Sequence, residues 1–294
     1  MSEPASGPGQ AAGFPPWPAL VEARRAREPR VPFFVRGAAV GSVAKAHLPA
    51  LRAFAEAVRI DDAGVHALHD DPSDALAPVN LALREAGLVR AWRDELFALP
   101  HPATLQTLGR IERAAARFWG TLTLGAHANG FVRGADGRPS HLWIAQRSFA
   151  KATDPGKFDN LIGGGVGFGQ TPRETLVREA FEEAGLAPHE AAGARAGHVI
   201  GLARDIPEGY QQEWLYAFDI ELPAARTPRN EDGEVAGFRC LPVQDAASLA
   251  AGDAMTVDAA LVTLDFLLRQ GCLPDAEAAH LSRALAALLV LPPR

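Results

Sequence analysis

The sequence predicts an α/β protein preceded by a small α+β domain, and three observations carry that prediction. Short apolar runs with strand character flank an Asp-Gly turn at 136–137, and a glycine-rich loop leads directly into a strongly capped helix at 171–185. Between residues 33 and 118, strand-like and helix-like stretches alternate at short spacing.

Taken in order, residues 1–16 are rich in Gly, Ser, Ala and Pro and cannot bury enough apolar surface to compensate for ordering, so a disordered leader is expected. Residues 17–119 are expected to form the small α+β domain. There Phe33-Phe34-Val35 and Val40-Gly41-Ser42-Val43 read as strands, and 47–58, 78–87 and 109–118 as helices. The main domain is expected over 120–294. Its first strands, Gly130-Phe131-Val132 and His141-Leu142-Trp143-Ile144-Ala145, are joined by Gly134-Ala135-Asp136-Gly137, where Asp-Gly favours a tight hairpin turn. Further strands are expected at 197–203, 213–221 and about 234–241, and helices at 256–270 and 275–290. No internal repeat is apparent.

The helix at 171–185 can be justified residue by residue. Thr171 is a good cap, Pro172 falls at the first helical position where its missing N–H costs nothing, and Glu174 completes a capping box. Gly185 supplies the stop. Val177, Phe181 and Ala184 recur at i, i+4 and i+7 as an expected apolar face, while Glu179, Glu182 and Glu183 share roughly 100° of arc on another face.

Composition bounds the function. The chain has 294 residues, 48% hydrophobic and 22% charged, enough for two modest globular domains. A formal charge of -6 provides no general field for nucleic acid or an anionic membrane, so a phosphate ligand must be held locally. The two cysteines, Cys240 and Cys272, lie far apart without metal-ligand spacing, which argues against a disulfide framework or a zinc site. No apolar run approaches the roughly 20 residues that span a bilayer, and the start lacks a signal pattern. A cytoplasmic protein is expected.

A pair of adjacent glutamates is most often a solvated face. Here Glu179 and Glu183 are like charges at i, i+4, which costs a few tenths of a kcal/mol and calls for a cation. Mg²⁺ takes one or two carboxylates and fills its other positions with water and substrate phosphate, so a metal-bound phosphate is the natural ligand.

The segment resembles the Nudix box: glycine, five residues, glutamate, seven residues, Arg-Glu, an apolar residue, any residue, Glu-Glu, any residue, glycine, apolar. Gly164, Arg178, Glu179, Ala180, Glu182, Glu183, Gly185 and Leu186 match that spacing, while Gln170 stands where the box has its first glutamate. The resemblance implies a Nudix α/β/α sandwich with a mixed sheet. It also implies that Glu179 and Glu183 hold Mg²⁺, or Mn²⁺ in its place, with Glu182 as a further ligand, and that Arg178 orients Glu179. Glu179, Glu182 and Arg178 are the implied catalytic residues. A helix glutamate is the default general base, with Glu231, Asp232 or Glu234 as the alternative.

Further segments, including Ala91-Trp92-Arg93-Asp94-Glu95, Ile111-Glu112-Arg113-Ala114-Ala115, His127-Ala128-Asn129-Gly130 and Asp154-Pro155-Gly156-Lys157-Phe158-Asp159-Asn160, resemble one Nudix subgroup with an extra N-terminal domain. That subgroup is similar to the Nudix part fused to some fungal thiamine pyrophosphokinases, and the resemblance covers about residues 30–270. It implies hydrolysis of a small organic diphosphate, such as a damaged or oxidised thiamine diphosphate analogue, to the monophosphate and phosphate. A homodimer is the expected assembly.

Expected substrate contacts are Arg147 and Lys151 on the phosphates, Gly164 and Gly165 in the loop, and His127 and Asn129 on an aromatic group; against them stand surface charge for the cations and a satisfied core pair for His127 and Asn129. Asp159-Asn160 shapes the loop, and Trp92 and Trp143 are stacking candidates that fit a core equally well. The glycine series lacks the G-x-G-x-x-G of a dinucleotide-binding turn. Two competing functions remain: an isopentenyl diphosphate isomerase-like enzyme, which would need a cysteine early in the domain, and a noncatalytic Nudix-fold sensor, toward which Gln170 points.

Overall fold

The computed structural model describes residues 17–293, so the expected leader at 1–16 lies outside the described residues. The first element is a short helix, α1 (Pro18–Glu22). Although residues 17–119 are expected as one small domain, Trp17, Ala19 and Ala23 are buried in the core of the larger sheet.

The small domain is built from β1 (Arg30–Val35), β2 (Ala38–Ala44), α2 (Leu48–Leu51), β3 (Val58–Asp61), β4 (Gly64–Ala67), α3 (Ser73–Glu85), β5 (Leu96–Pro100), β6 (Thr107–Glu112) and α4 (Arg113–Trp119). The first four strands form one sheet in the order β2-β1-β4-β3, with β1 and β4 parallel, and β5 pairs β6 as a separate hairpin. Phe33, Val35, Leu76, Leu83, Leu99, Phe118 and Trp119 share its core.

Three expected helices differ here. The helix at 47–58 shrinks to α2 after a turn of 3-10 helix, because Val58, 3% exposed, is used by the sheet instead. The one at 78–87 begins at Ser73, whose N–H is held by the Asp71 carboxylate at 3.0 Å, and carries Pro78 inside rather than at its start. The one at 109–118 is a strand to Glu112, whose carboxylate then caps α4 by accepting from the backbone N–H groups of Ala114 and Ala115. Side-chain capping and sheet pairing override helical spacing in these segments.

The main domain follows with β7 (Leu122–Arg133), β8 (Pro139–Arg147), β9 (Phe158–Asp159), β10 (Ile162–Gly165), α5 (Pro172–Ala184), α6 (Pro188–Ala192), β11 (Arg195–Ile206), β12 (Gly209–Glu221), β13 (Val235–Pro242), α7 (Val243–Ala250), α8 (Val257–Arg269), α9 (Asp275–Ala286) and β14 (Leu289–Val290). Its sheet runs β13-β8-β7-β12-β11-β14, with β9 on β8 and β10 on β7; β7 and β12 are parallel and the other pairs antiparallel, so the sheet is mixed. The 134–137 hairpin turn forms as expected, with Gly137 in the left-handed region at φ 78°. The expected helix 275–290 ends at Ala286, and Leu289–Val290 instead pairs β11.

Both sheet faces are covered, which makes an α/β/α sandwich. Alternate residues of β7, β8 and β12 divide between the two sides: Phe131, Leu142, Ile144, Leu215 and Ala217 pack against α8 and its neighbours. Ala126, Ala128, Val132, Trp143, Phe218 and Ile220 pack under α5. No helix among the described residues is long and apolar enough to cross a membrane.

Candidate active site

The cap of α5 forms as its sequence requires. Thr171 Oγ1 accepts from the Glu174 N–H at 3.2 Å, and the Glu174 carboxylate accepts from the Thr171 N–H at 2.8 Å. Gly185 closes the helix at φ 62°. The buried face is Leu176, Ala180 and Ala184, whereas Phe181 is 55% exposed. The expected Val177-Phe181-Ala184 face is therefore rotated, with Leu176, Ala180 and Ala184 packed among Ala126, Ala128, Leu161 and Ile162.

That rotation presses Glu179 and Glu183 onto β10. A side chain at Gly164 would fall on the Glu179 carboxylate, and the Gly163 N–H donates to Glu183 Oε2 at 2.8 Å. Burial pushes the Glu179 carboxyl up against the opposing charge of Arg178, and pushes Glu183 up to about 8 despite Lys151 Nζ at 3.5 Å. Burial thus raises both carboxyls, although Arg178 stands 2.9 Å from Glu179 and Lys151 3.5 Å from Glu183.

Glu182 shares Arg178 with Glu179. Arg178 Nη1 donates to Glu182 at 2.8 Å, while Arg178 Nη2 lies 2.9 Å from Glu179 Oε1. Among the described residues no group of three His, Cys, Asp or Glu side chains converges on a metal position. The pair Glu179 and Glu183 still fits Mg²⁺, which needs only one or two carboxylates beside water and phosphate. Gln170 Oε1 accepts from Thr175 Oγ1 at 3.1 Å and from Arg178 Nη2 at 3.4 Å, so the amide tethers Arg178 without a charge.

Of the three loop acids, Glu234 is the one that meets the site: Lys151 Nζ lies 2.5 Å from it and Arg93 Nη1 3.5 Å. Burial raises its carboxyl, but Lys151, Arg93 and Arg113 together hold it below the usual range. Glu231 pairs with Arg229, and Asp232 caps the Glu234 N–H.

The glycines Gly163–Gly165 wall a cavity of about 390 Å³ that also takes in His127, Arg147 and Asp159. Arg147 is already committed, donating to Asp159 Oδ2 at 2.8 Å and to the Thr153 carbonyl at 2.9 Å. Lys151 does not line the cavity and is held between Glu183 and Glu234. Asn129 does not line it either; its amide donates to Asp219 and the Val262 carbonyl, and its oxygen accepts from Asn160 at 3.1 Å. His127 reaches the cavity and meets Asn160 Oδ1 at 3.1 Å. Trp92, Trp143, Cys240 and Cys272 are absent from its lining.

Residues without an expected role complete the cavity. Arg93, Arg113 and Arg117 enter from the small domain, and Gln211, Glu213 and Asp258 from the main one. Arg117 Nη2 donates to the buried Glu213 at 2.9 Å. Burial raises Glu213, but Arg117 and Gln211 pull it below its ordinary value, whereas burial leaves Asp258 raised. The i, i+4 spacing of Arg113 and Arg117 was a readable signal, but the expected helix across 109–118 concealed which face they share.

Similarity to known proteins identifies the family. The family model described as NUDIX domain matches residues 123–260, and one described as a domain of unknown function, DUF4743, matches 19–123. The chain is 34% identical over 249 residues to Nudix hydrolase 24, chloroplastic, of Arabidopsis thaliana, covering 82% of this chain and 68% of that protein. It is 34% identical over 203 residues to Nudix hydrolase 20, chloroplastic, of the same plant, covering 69% of this chain and 54% of that protein. Among solved structures, DR0079 from Deinococcus radiodurans is 24% identical with a TM-score of 0.43, covering 57% of this chain and 97% of that one.

Proposed function

The chain belongs to the Nudix hydrolase family, and from that premise we propose that it hydrolyses the diphosphate bond of a small organic diphosphate with a divalent metal, Mg²⁺ or Mn²⁺. One observation carries the reading: Glu179 and Glu183 lie together against the Gly163–Gly165 strand, and those three glycines, though neither carboxylate, line a cavity of about 390 Å³. That volume suits a drug-sized ligand, for which sites run from roughly 300 to 1,000 Å³.

When bound, the metal supplies a water of lowered pKa and neutralises phosphate oxygens. Glu179 and Glu183 are the proposed ligands. Arg178 holds Glu179 and Glu182 at once, fixing the first for binding. The proton of the attacking water is assigned to Glu182, whose side chain at 38% exposure is the most open of the three, against 13% for Glu179 and 7% for Glu183. Gly164 carries no side chain, which lets the Glu179 carboxylate lie directly against the strand.

As substrate we propose a thiamine diphosphate analogue in a damaged or oxidised form, cleaved to the monophosphate and phosphate. Its support is the subgroup resemblance of the segments around Trp92, Arg113 and Asp159. The sensor reading rests on Gln170 alone. Phosphate release from a panel of thiamine-type diphosphates, nucleotides and ADP-ribose, with Mg²⁺ and beside Glu183→Gln, tests both. Turnover lost in the variant supports hydrolysis; nucleotide turnover alone removes the thiamine proposal; metal binding without any turnover supports the sensor.

A further inference from the structure

We propose that Arg113 and Arg93 of the small domain form the clamp that grips the substrate's phosphates, so that the active site is completed across the two domains. This rests on the diphosphate reading above and names the residues that meet its phosphates.

The cations of the main domain are already engaged. Arg147 is held by Asp159 and Thr153, Lys151 by Glu183 and Glu234, and Arg178 by Glu179, Glu182 and Gln170. Arg113 and Arg93 are different. Among the described residues the Arg113 guanidinium donates one hydrogen bond, from Nη1 to Glu95 at 2.8 Å, and that of Arg93 one long bond, to Glu234 at 3.5 Å. Both residues line the cavity that Gly163–Gly165 wall. One helical turn beyond Arg113, Arg117 also lines the cavity, and its buried Nη1 has no hydrogen-bond partner among the described residues.

The clamp is also held in register with the carboxylates. The Phe168 N–H donates to the Leu96 carbonyl at 2.7 Å, and Phe97 bridges Gly167, so β5 is stitched to the loop that enters α5. A side chain at Gly165 would strike the Phe97 ring, and the Arg113 N–H donates to the Glu95 carbonyl at 2.8 Å. The Arg113 guanidinium lies 5.4 Å from the centroid of that same Phe97 ring, and Gly165 adjoins the Gly164 that Glu179 covers. Guanidinium forks match phosphate oxygens bidentately, which a lysine cannot reproduce.

Isothermal titration of the full chain with magnesium imidodiphosphate, which is not hydrolysed, tests the clamp. Arg113→Gln and Arg93→Gln should each weaken binding about tenfold or more, as loss of a charge-assisted bond does. Arg113→Lys should recover part of the loss, and all three should keep wild-type affinity for Mg²⁺ alone and a near-wild-type Tm. If both Gln variants bind imidodiphosphate as the wild type does while Glu183→Gln does not, the clamp is refuted and the diphosphate site stands. If the wild type binds no better than Glu183→Gln, the diphosphate reading falls and the clamp with it. Should Arg113→Gln fail to fold, Arg93→Gln and Arg113→Lys decide the question.

Discussion

Burial holds the Glu183 carboxyl protonated up to about pH 8 in the metal-free chain, against 4.5 for a free side chain. Because the folded value lies above the unfolded one, this proton's stabilising contribution is complete below about 4.5 and is lost as pH rises through about 8. The Tm of the metal-free wild type should therefore fall across that window relative to Glu183→Gln, which has no proton to lose. Saturating Mg²⁺, which binds the ionised carboxylate, should flatten the difference. Parallel melting curves for the two proteins would contradict the assignment. The three glutamates were legible as a stripe, but only two of them converge. Arg178, readable in the box, holds Glu179 and Glu182 at once, a double engagement that the spacing alone does not predict.

At the scale of an element, α5 is the part most completely written in local sequence. Its cap, its N1 proline and its stop all form as the chain order demands, since each interaction closes within four residues. Thr171→Ala removes the cap and should cost about 1 kcal/mol, read as a lowered urea midpoint with an unchanged m-value. The helix face was less legible. Phe181 outranks Ala180 in hydrophobicity, yet Ala180 is the buried one, in the cluster that holds Ala126, Ala128, Leu161 and Ile162. The same limit explains the helix expected at 109–118: Glu112 ends a strand that pairs with β5, a partner distant enough to be invisible in the local pattern.

Across the whole molecule, the small domain is joined to the main one through the cavity itself. Arg117 of α4 pairs with Glu213 of β12, side chains that are 18% and 7% exposed. Removing one partner of such a pair leaves an uncompensated buried charge, so Arg117→Ala should destabilise the protein by about 3–5 kcal/mol in chemical denaturation. Replacing both members by apolar residues of similar volume should recover most of that loss. A cost below about 1 kcal/mol for the single variant would show that the interface is solvated and the pair weak.

By itself the sequence determined the family, the mixed α/β character, the hairpin at 134–137 and the capped helix that carries Glu179 and Glu183. These rest on contacts between residues close in the chain, or on a spacing that the chemistry of metal-bound phosphate imposes. Only the tertiary structure decided which partner claims each cation around the cavity. Arg147 and Lys151 sit beside the glycine loop in sequence but are held by Asp159, Thr153, Glu183 and Glu234, while Arg93 and Arg113 reach the cavity from the other domain. An ion pair depends on distance in space, and the partner that claims each charge is set by folding.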